Sequence, residues 1–372
     1  MNEIKFCKNC LIPNTRPNIT LNKNQICNVC VGKKKIDWTK RKKKFLELIK
    51  SVKKKKSNYD CLIPVSGGKD STWQVKQALK YNLKPLCITW RSPARNKIGT
   101  QNLNNLINLG VDHIDFSINP KKEKYFILKS FRKYGSTLIP MHMAMHAISV
   151  RTAIEKKIPL IIWGENSAEE YGGQESLKGR YMNNKWRKYY GNSHNTSVID
   201  WIDQNLKNED LHPYKLPKQT EINQKKIKEI FLGYYFKWDP DSTYAFSKRY
   251  GFKSATKPKI GLYNFADIDD EFLVTIHHWM KWYKFGFSRM WDNLAIEIRN
   301  KRISLNNAVK KINHFEKQKP SKEIKKFCNY VNISSKMFFK ICEKFRNKKI
   351  WYKKNKNWFL KNSIVSSWNW GK

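Results

Sequence analysis

The sequence predicts an α/β protein: a doubly wound, mostly parallel sheet, with a four-cysteine module ahead of it and a mainly helical region behind. Three observations predict this. From Tyr59 onward, short apolar runs alternate with helix-length amphipathic segments. The first apolar run ends in a glycine-rich turn that opens a helix, and two cysteine pairs stand ahead of residue 31.

Residues 1–32 carry the cysteine pairs and little apolar periodicity. Residues 33–58 read as a basic helical connector with Phe45, Leu46, Leu48, Ile49 and Val52 on its apolar stripe. Asp60 to Val65 reads as a buried strand, followed by a helix from Thr72 to Tyr81. A second strand at Pro85 to Trp90 precedes a helix over Thr100 to Leu109 and a third strand, His113 to Phe116. Helices over Lys122 to Tyr134 and Met141 to Lys157 lead to a fourth strand, Pro159 to Trp163. Strands apolar along their whole length, separated by helices, imply a parallel sheet covered on both faces. Ligands of such sheets bind beyond the carboxyl ends of the strands.

This α/β domain is placed at residues 59–215, and the mainly helical region, for substrate or partner contacts, at 216–372. Within the latter, Phe231 to Phe236 reads as another strand, and Ser242 to Tyr250 and Asp269 to Lys284 as helices. Beyond Lys310 the chain is basic and helical, ending in the aromatic tail Trp368 to Trp370.

Of 372 residues, 40% are hydrophobic and 13% aromatic, enough for two or three cored domains and against intrinsic disorder. No apolar run reaches the roughly 20 residues that span a bilayer, and Met1 to Cys10 lacks a signal peptide's apolar stretch. A soluble cytoplasmic protein with no membrane partner is the expectation. The formal charge of +44 invites a nucleic-acid partner. The lysines are nevertheless spread over the whole chain. The densest clusters, Lys33 to Lys35, Arg41 to Lys44 and Lys53 to Lys56, flank one helix as a solvated face would. This pattern neither demands nucleic-acid binding nor excludes it.

Pro64 to Thr72 is the most informative stretch. Gly67 and Gly68 let the backbone turn its amides toward an anion. Ser66, Ser71 and Thr72 add hydroxyls, Lys69 adds a cation, and the helix start adds unpaired N–H groups. Asp70, an acid inside an anion site, fits a residue that holds Mg²⁺ or orients the loop. The glycine spacing is not the Walker pattern. Ser-Gly-Gly-x-Asp-Ser instead resembles the PP-loop ATP pyrophosphatases, whose fold is the adenine-nucleotide alpha-hydrolase-like sheet. The resemblance implies that Ser66 to Thr72 bind the pyrophosphate of ATP, that Lys69 and Asp70 are catalytic, and that Thr89, Trp90 and Arg91, after the second strand, line the nucleotide pocket.

Trp163 to Gly173 follows the fourth strand, so its polar residues face the same crevice. Glu165 is read as catalytic and, with Asp70 and Glu169, as a magnesium ligand; Asn166 and Tyr171 are read as substrate contacts. For each carboxylate taken singly, a solvated acidic loop is the alternative.

Cys7-x-x-Cys10 and Cys27-x-x-Cys30 form two knuckles that together offer four thiolates to one tetrahedral Zn²⁺, as in a zinc ribbon. With no open coordination position such a zinc is structural; an iron–sulfur centre or a redox pair are the alternatives. Cys61 and Cys87 read as small apolar strand residues.

Together the knuckles with Ile12 to Pro17, the Ser66 to Ser71 loop, Trp163 to Gly173, Leu232 to Tyr235 with Trp238, Lys284 to Arg289, Asp292, and Glu297 to Arg299 are similar to the N-acetyl sugar amidotransferases among PP-loop enzymes. That resemblance implies conversion of an acetamido to an acetamidino group on a nucleotide-linked sugar for a surface glycan. It also implies ATP and Mg²⁺, with ammonia from separate glutaminase-like and cyclase-like subunits. Arg289, Asp292 and Arg299 are the candidates for sugar or phosphate contacts, with ion pairing on a helix surface as the alternative. Met290 and Trp291 stand where the family has a small residue and Thr, which puts the shape of the sugar pocket in question. The tail past Lys310 matches no pattern. A lysidine-type or thiolating tRNA enzyme remains an alternative, as does a non-catalytic zinc-ribbon protein binding nucleotide or nucleic acid. Thiolation fits poorly, since the only paired cysteines are the knuckles.

Overall fold

The computed structural model describes residues 3–32, 36–55, 57–315 and 319–368. The lysines at 33–35, Lys56 and Trp370, singled out above, lie outside the described residues.

Five parallel strands form the central sheet: β1 (Cys61–Pro64), β2 (Pro85–Trp90), β3 (Asp112–Phe116), β4 (Leu160–Trp163) and β5 (Lys228–Phe231). Their spatial order is β3-β2-β1-β4-β5. The chain therefore builds outward from β1 in one direction, then restarts at β4 on its other side. Beyond the carboxyl ends of β1 and β4 the connections diverge, opening the crevice of a doubly wound sheet.

The unbroken apolar strands are explained by two core layers. Leu62, Leu86, Ile88, Ile161 and Trp163 point to one face; Cys61, Ile63, Cys87, Leu160 and Ile162 point to the other. Alternation carries β1, β2, β4 and β5 into both layers, whereas the edge strand β3 leaves Asp112 and Asp115 exposed. The second layer is closed by the helices Trp38–Lys53, Lys69–Lys80 and Lys97–Ile107. The basic connector belongs here: Phe45, Leu48, Ile49 and Val52 are buried, but Leu46 falls off the stripe and is exposed. The first layer is covered by the helices Pro120–Tyr134 and Ile139–Glu155.

Two expectations about order along the chain change. The fifth strand lies beyond residue 215, so the α/β domain does not end there. The stretch Phe231 to Phe236 is not a strand, because β5 stops at Phe231 and Leu232–Tyr235 forms a helical turn. The Gly233 amide donates to the Gly164 carbonyl (3.1 Å), turning the chain under the end of β4. Tyr235 then packs on Phe45, ring centroids 5.2 Å apart.

The region behind the sheet is not an appended domain. Helices Ser321–Val331 and Ser335–Lys344 bury Phe327 and Phe338 against Phe131 in the main core. Helices Arg289–Arg299 and Leu305–Phe315 pack Met290, Trp291, Leu294, Val309 and Ile312 on the cysteine module. An antiparallel hairpin, β6 (Trp351–Lys354) and β7 (Asn357–Leu360), closes on Ile4. It was not legible because its turn, Asn355 and Lys356 at positive φ, lacks the glycine that signals such turns. Among the described residues no helix is long and apolar enough to cross a membrane.

One buried ion pair ties the irregular stretch after β4 to the sheet. Arg187, from the helix Asn184–Tyr190, bonds Glu229 on β5, which also accepts from Trp163 Nε1 at 3.0 Å. Both residues are buried. Arg187→Ala leaves that carboxylate without its cation, and a loss of about 3–5 kcal/mol is expected, measured as a lowered urea midpoint with an unchanged slope.

Candidate active site

The loop after β1 sits at the crevice. Gly67 has φ +84°, and a Cβ there would lie 2.6 Å from the Leu103 backbone nitrogen, so only glycine lets the loop pass this close to its neighbour. The loop then folds on itself: Ser66 N donates to Ser71 Oγ (3.1 Å), and Gly68 N to Ser66 Oγ (3.2 Å). Helix Lys69–Lys80 begins at once, with Gly68 as a cap that supplies no side chain. Its first amides are thereby available to an anion.

Lys69 is buried, and its Nζ lies 2.7 Å from Asp70 Oδ2. Asp70 also accepts from Trp238 Nε1 (2.9 Å) and Thr243 Oγ1 (3.2 Å). Ser247, one turn after Thr243, donates to the Lys69 carbonyl at 2.7 Å. The helix Pro240–Lys248 thus braces the loop with two hydroxyls on one face. Asp269 bonds Ser66, and burial raises its pKa.

Glu165 sits just past β4, where Gly233 comes so near that a Cβ on it would lie 3.2 Å from Glu165 Cα. Burial, then the charge of Asp70, raises the Glu165 pKa, while Lys69 and Arg289 pull it down. These four groups therefore form one electrostatic cluster. Arg289 is held cationic against the effect of burial by Asp267, Tyr171, Asp292 and Tyr263. Its Nε is buried without a hydrogen-bond partner among the described residues. Such an arrangement can grip a polyphosphate at the loop and present a polar or anionic group to Arg289 from the opposite wall. Asp70 and Glu165 repel each other, and they are the carboxylates here that would hold a cation.

Other candidates are placed elsewhere. Asn166 has no capacity left for a substrate. Its Oδ1 accepts from Ala168 N and Trp186 Nε1, both at 2.9 Å, and its Nδ2 donates to the carbonyls of Leu177 (3.2 Å) and Gly179 (3.1 Å). Glu169 takes the Gly179 amide (3.0 Å) and lies 3.9 Å from Arg41. Thr89 and Trp90 turn their side chains into the core, bonded to Val65 O at 2.7 Å and Glu123 at 2.7 Å, so only their backbone can meet a nucleotide. The Arg91 side chain is exposed, 3.8 Å from Asp115.

Asp292, fully buried, is taken by Arg16 and Lys281, both at 2.7 Å. Arg299 faces the cysteine module, with Nη1 4.0 Å from Cys10 Sγ and Nη2 donating to Glu170 O at 3.1 Å. Met290 and Trp291 pack against that module, so their bulk fills a core rather than a sugar pocket. Trp238 was noticed only for its resemblance. Thr243, Ser247 and Asp269 were not singled out at all, because they reach the loop from more than 170 positions away; their one signal was the Thr243–Ser247 spacing.

The four knuckle sulfurs lie within 4.8 Å of one another. Cys7 and Cys30 are 4.0 Å apart, and Cys10 and Cys27 3.7 Å. Tetrahedral Zn–S bonds of about 2.3 Å require sulfurs about 3.8 Å apart, so the set fits zinc. Cys27 N and Cys30 N point at Cys7 Sγ (3.2 Å) and Cys27 Sγ (3.4 Å), as amides stabilising thiolates do. Among the described residues no other group of three or more cysteine, histidine or carboxylate ligands gathers this way.

Residues 243–364 match the family described as LPS biosynthesis protein WbpG-like, C-terminal domain. That match begins at the residue bonded to Asp70 and includes Arg289. No curated protein matches the chain. The similar solved structures include two distant ones. The NH3-dependent NAD synthetase from Campylobacter jejuni is 16% identical with a TM-score of 0.30, covering 51% of this chain and 93% of that one. The NMN synthetase from Francisella tularensis is 15% identical with a TM-score of 0.27, covering 60% and 99%.

One zinc per chain is expected by elemental analysis of the purified protein, and stripping it with a strong chelator should lower the melting temperature, since the module's core is built around the sulfurs. A second expectation concerns Asp270, beside Asp269. Burial pushes its pKa up from 3.8 to about 7, although Ser92 and the Val274 amide bond it. The folded state then holds a proton the unfolded chain releases, so this stabilisation is complete below about pH 4 and lost as the pH rises to about 7. Asp270→Asn should flatten the stability profile between those values in urea titrations.

Proposed function

We propose that this chain, with its PP-loop like that of N-acetyl sugar amidotransferases and its WbpG-like C-terminal domain, is an ATP-dependent amidotransferase of lipopolysaccharide biosynthesis. It activates the acetamido carbonyl of a nucleotide-linked N-acetyl sugar and replaces that oxygen with ammonia. The observation that carries this reading is the pairing of the Ser66 to Ser71 loop with Glu165 and Arg289 across the β1–β4 crevice.

The chemistry follows from the leaving group. An amide oxygen does not depart as oxide. When it attacks the α-phosphorus of ATP, the bond to pyrophosphate breaks and the oxygen becomes part of AMP. Ammonia adds to the carbon, the C–O bond breaks, AMP leaves, and one proton is released. The product carries C=NH in place of C=O. The protein's part is to position two reactants and to stabilise charge that moves between oxygens. The glycine loop and helix amides receive the departing pyrophosphate, and Lys69 moves from Asp70 toward it. Mg²⁺ would neutralise phosphate charge beside Asp70 and Glu165. The raised pKa of Glu165 suits it to take the proton that ammonia sheds on addition.

Ammonia comes, in this reading, from separate glutaminase-like and cyclase-like subunits, and the work is cytoplasmic. The test is to incubate the protein with ATP, ammonium and N-acetyl sugar nucleotides, following AMP and a product about one mass unit lighter. Lys69→Ala and Asp70→Ala should each cut turnover by about a hundredfold or more with folding intact. Formation of ADP, or of AMP only when tRNA is added, would overturn the proposal.

A further inference from the structure

The cysteine module lies beside the crevice, and its contacts with the segment after β4 are specific. Arg16, between the knuckles, donates Nε to Asp292 (2.7 Å) and Nη1 to the Tyr171 carbonyl (2.8 Å). Its guanidinium also lies over the Tyr171 ring, 5.3 Å from the centroid. Arg299, whose Nη1 approaches Cys10 Sγ, donates Nη2 to the preceding carbonyl, that of Glu170. Next in the chain, Gly172 has φ +98°, and a Cβ there would lie 2.7 Å from Ile19 Cδ1 and 3.0 Å from Asn18 O. Tyr171 and Gly172 are thus seated on the module and Glu170 on Arg299 beside it, while Glu165 and Tyr171 of the same segment reach the Arg289 cluster.

We propose that Arg16 is a positioning residue for the reaction: through it the cysteine knuckles fix the 165–172 segment, and with it Glu165 and Tyr171, at the carbonyl being activated. This rests on the amidotransferase reading of the crevice. The module is then part of the working site rather than a stabilising appendage. The fork of an arginine is needed because one side chain must meet a carboxylate and a carbonyl at once, which the single ammonium of lysine does not do in that geometry. Lys281 and Arg289 remain beside Asp292 when Arg16 is changed, so the buried carboxylate keeps two cations.

The test compares Arg16→Lys and Arg16→Ala with the unaltered protein by hydrogen exchange, zinc content and steady-state kinetics. Both variants should retain zinc and exchange the amides of residues 165–173 about tenfold faster or more, with β1 amides unchanged. Turnover should fall about tenfold or more while KM for ATP stays put, because the loop that holds ATP is not touched. Arg16→Lys should restore thermal stability over Arg16→Ala without restoring segment protection or turnover. Unchanged exchange at 165–173 in both variants overturns the proposal, as does faster exchange spread equally through β1. If the unaltered protein makes no AMP with any sugar nucleotide, the reaction reading fails, while the exchange comparison still decides whether Arg16 fixes the segment.

Discussion

A carboxylate with no solvent at all stands at the centre of this molecule. The side chain of Asp292 is 0% exposed, and such a charge is tolerated only where cations surround it. Arg16, Lys281 and Arg289 do so from three segments of the chain. Burial alone would raise the Asp292 pKa; Lys281, Arg16 and Arg289 outweigh it and hold the group ionised. Helix Leu273–Phe285, helix Arg289–Arg299 and the knuckle loop are thereby locked in one arrangement. Lys281 is depressed to about 8, chiefly by its own burial, so this junction is a balance of costs as well as attractions.

From that junction the rest of the site follows. Arg289 is left with a guanidinium only partly engaged, 3.8 Å from Asp292, facing the wall that carries Glu165. The opposite wall is set by the sheet alone, since β1 and β4 are neighbours and their loops must leave in different directions. The seam between them draws on both. The glycine loop belongs to the sheet, whereas its braces Trp238 and Thr243 come from the stretch after β5.

The sheet was legible because parallel strands buried on both sides have one pattern, and the helices between them another. The turn after β1 was legible because so tight a strand-to-helix loop needs glycine and hydroxyls at fixed offsets. Reading failed where the function of a side chain depends on partners far along the chain. Asn166 and Asp292 carry groups that suit a ligand, yet both are used internally, and nothing local to either distinguishes the two uses. Arg299 was matched by its motif to substrate, but it faces sulfur. Conversely Arg16, within the Ile12 to Pro17 stretch of the resemblance, has its role only through contacts 155 and 276 positions away. The boundary at residue 215 failed for a related reason: Lys228–Phe231 opens with Lys and Glu and lacks the unbroken apolar run that marks β1 and β4.

The position of the knuckles in the chain has a consequence for biosynthesis. They leave the ribosome ahead of their own apolar wall, which is formed by Phe287, Leu294 and Ile312, and Thr15 bonds the carbonyl of a residue 270 positions later. Until those residues are made, the four thiols lack the core that covers them and are open to oxidation and to competing metals. Early capture of zinc would protect them during that interval, and it would also deliver a prefolded nucleus onto which the last helices dock.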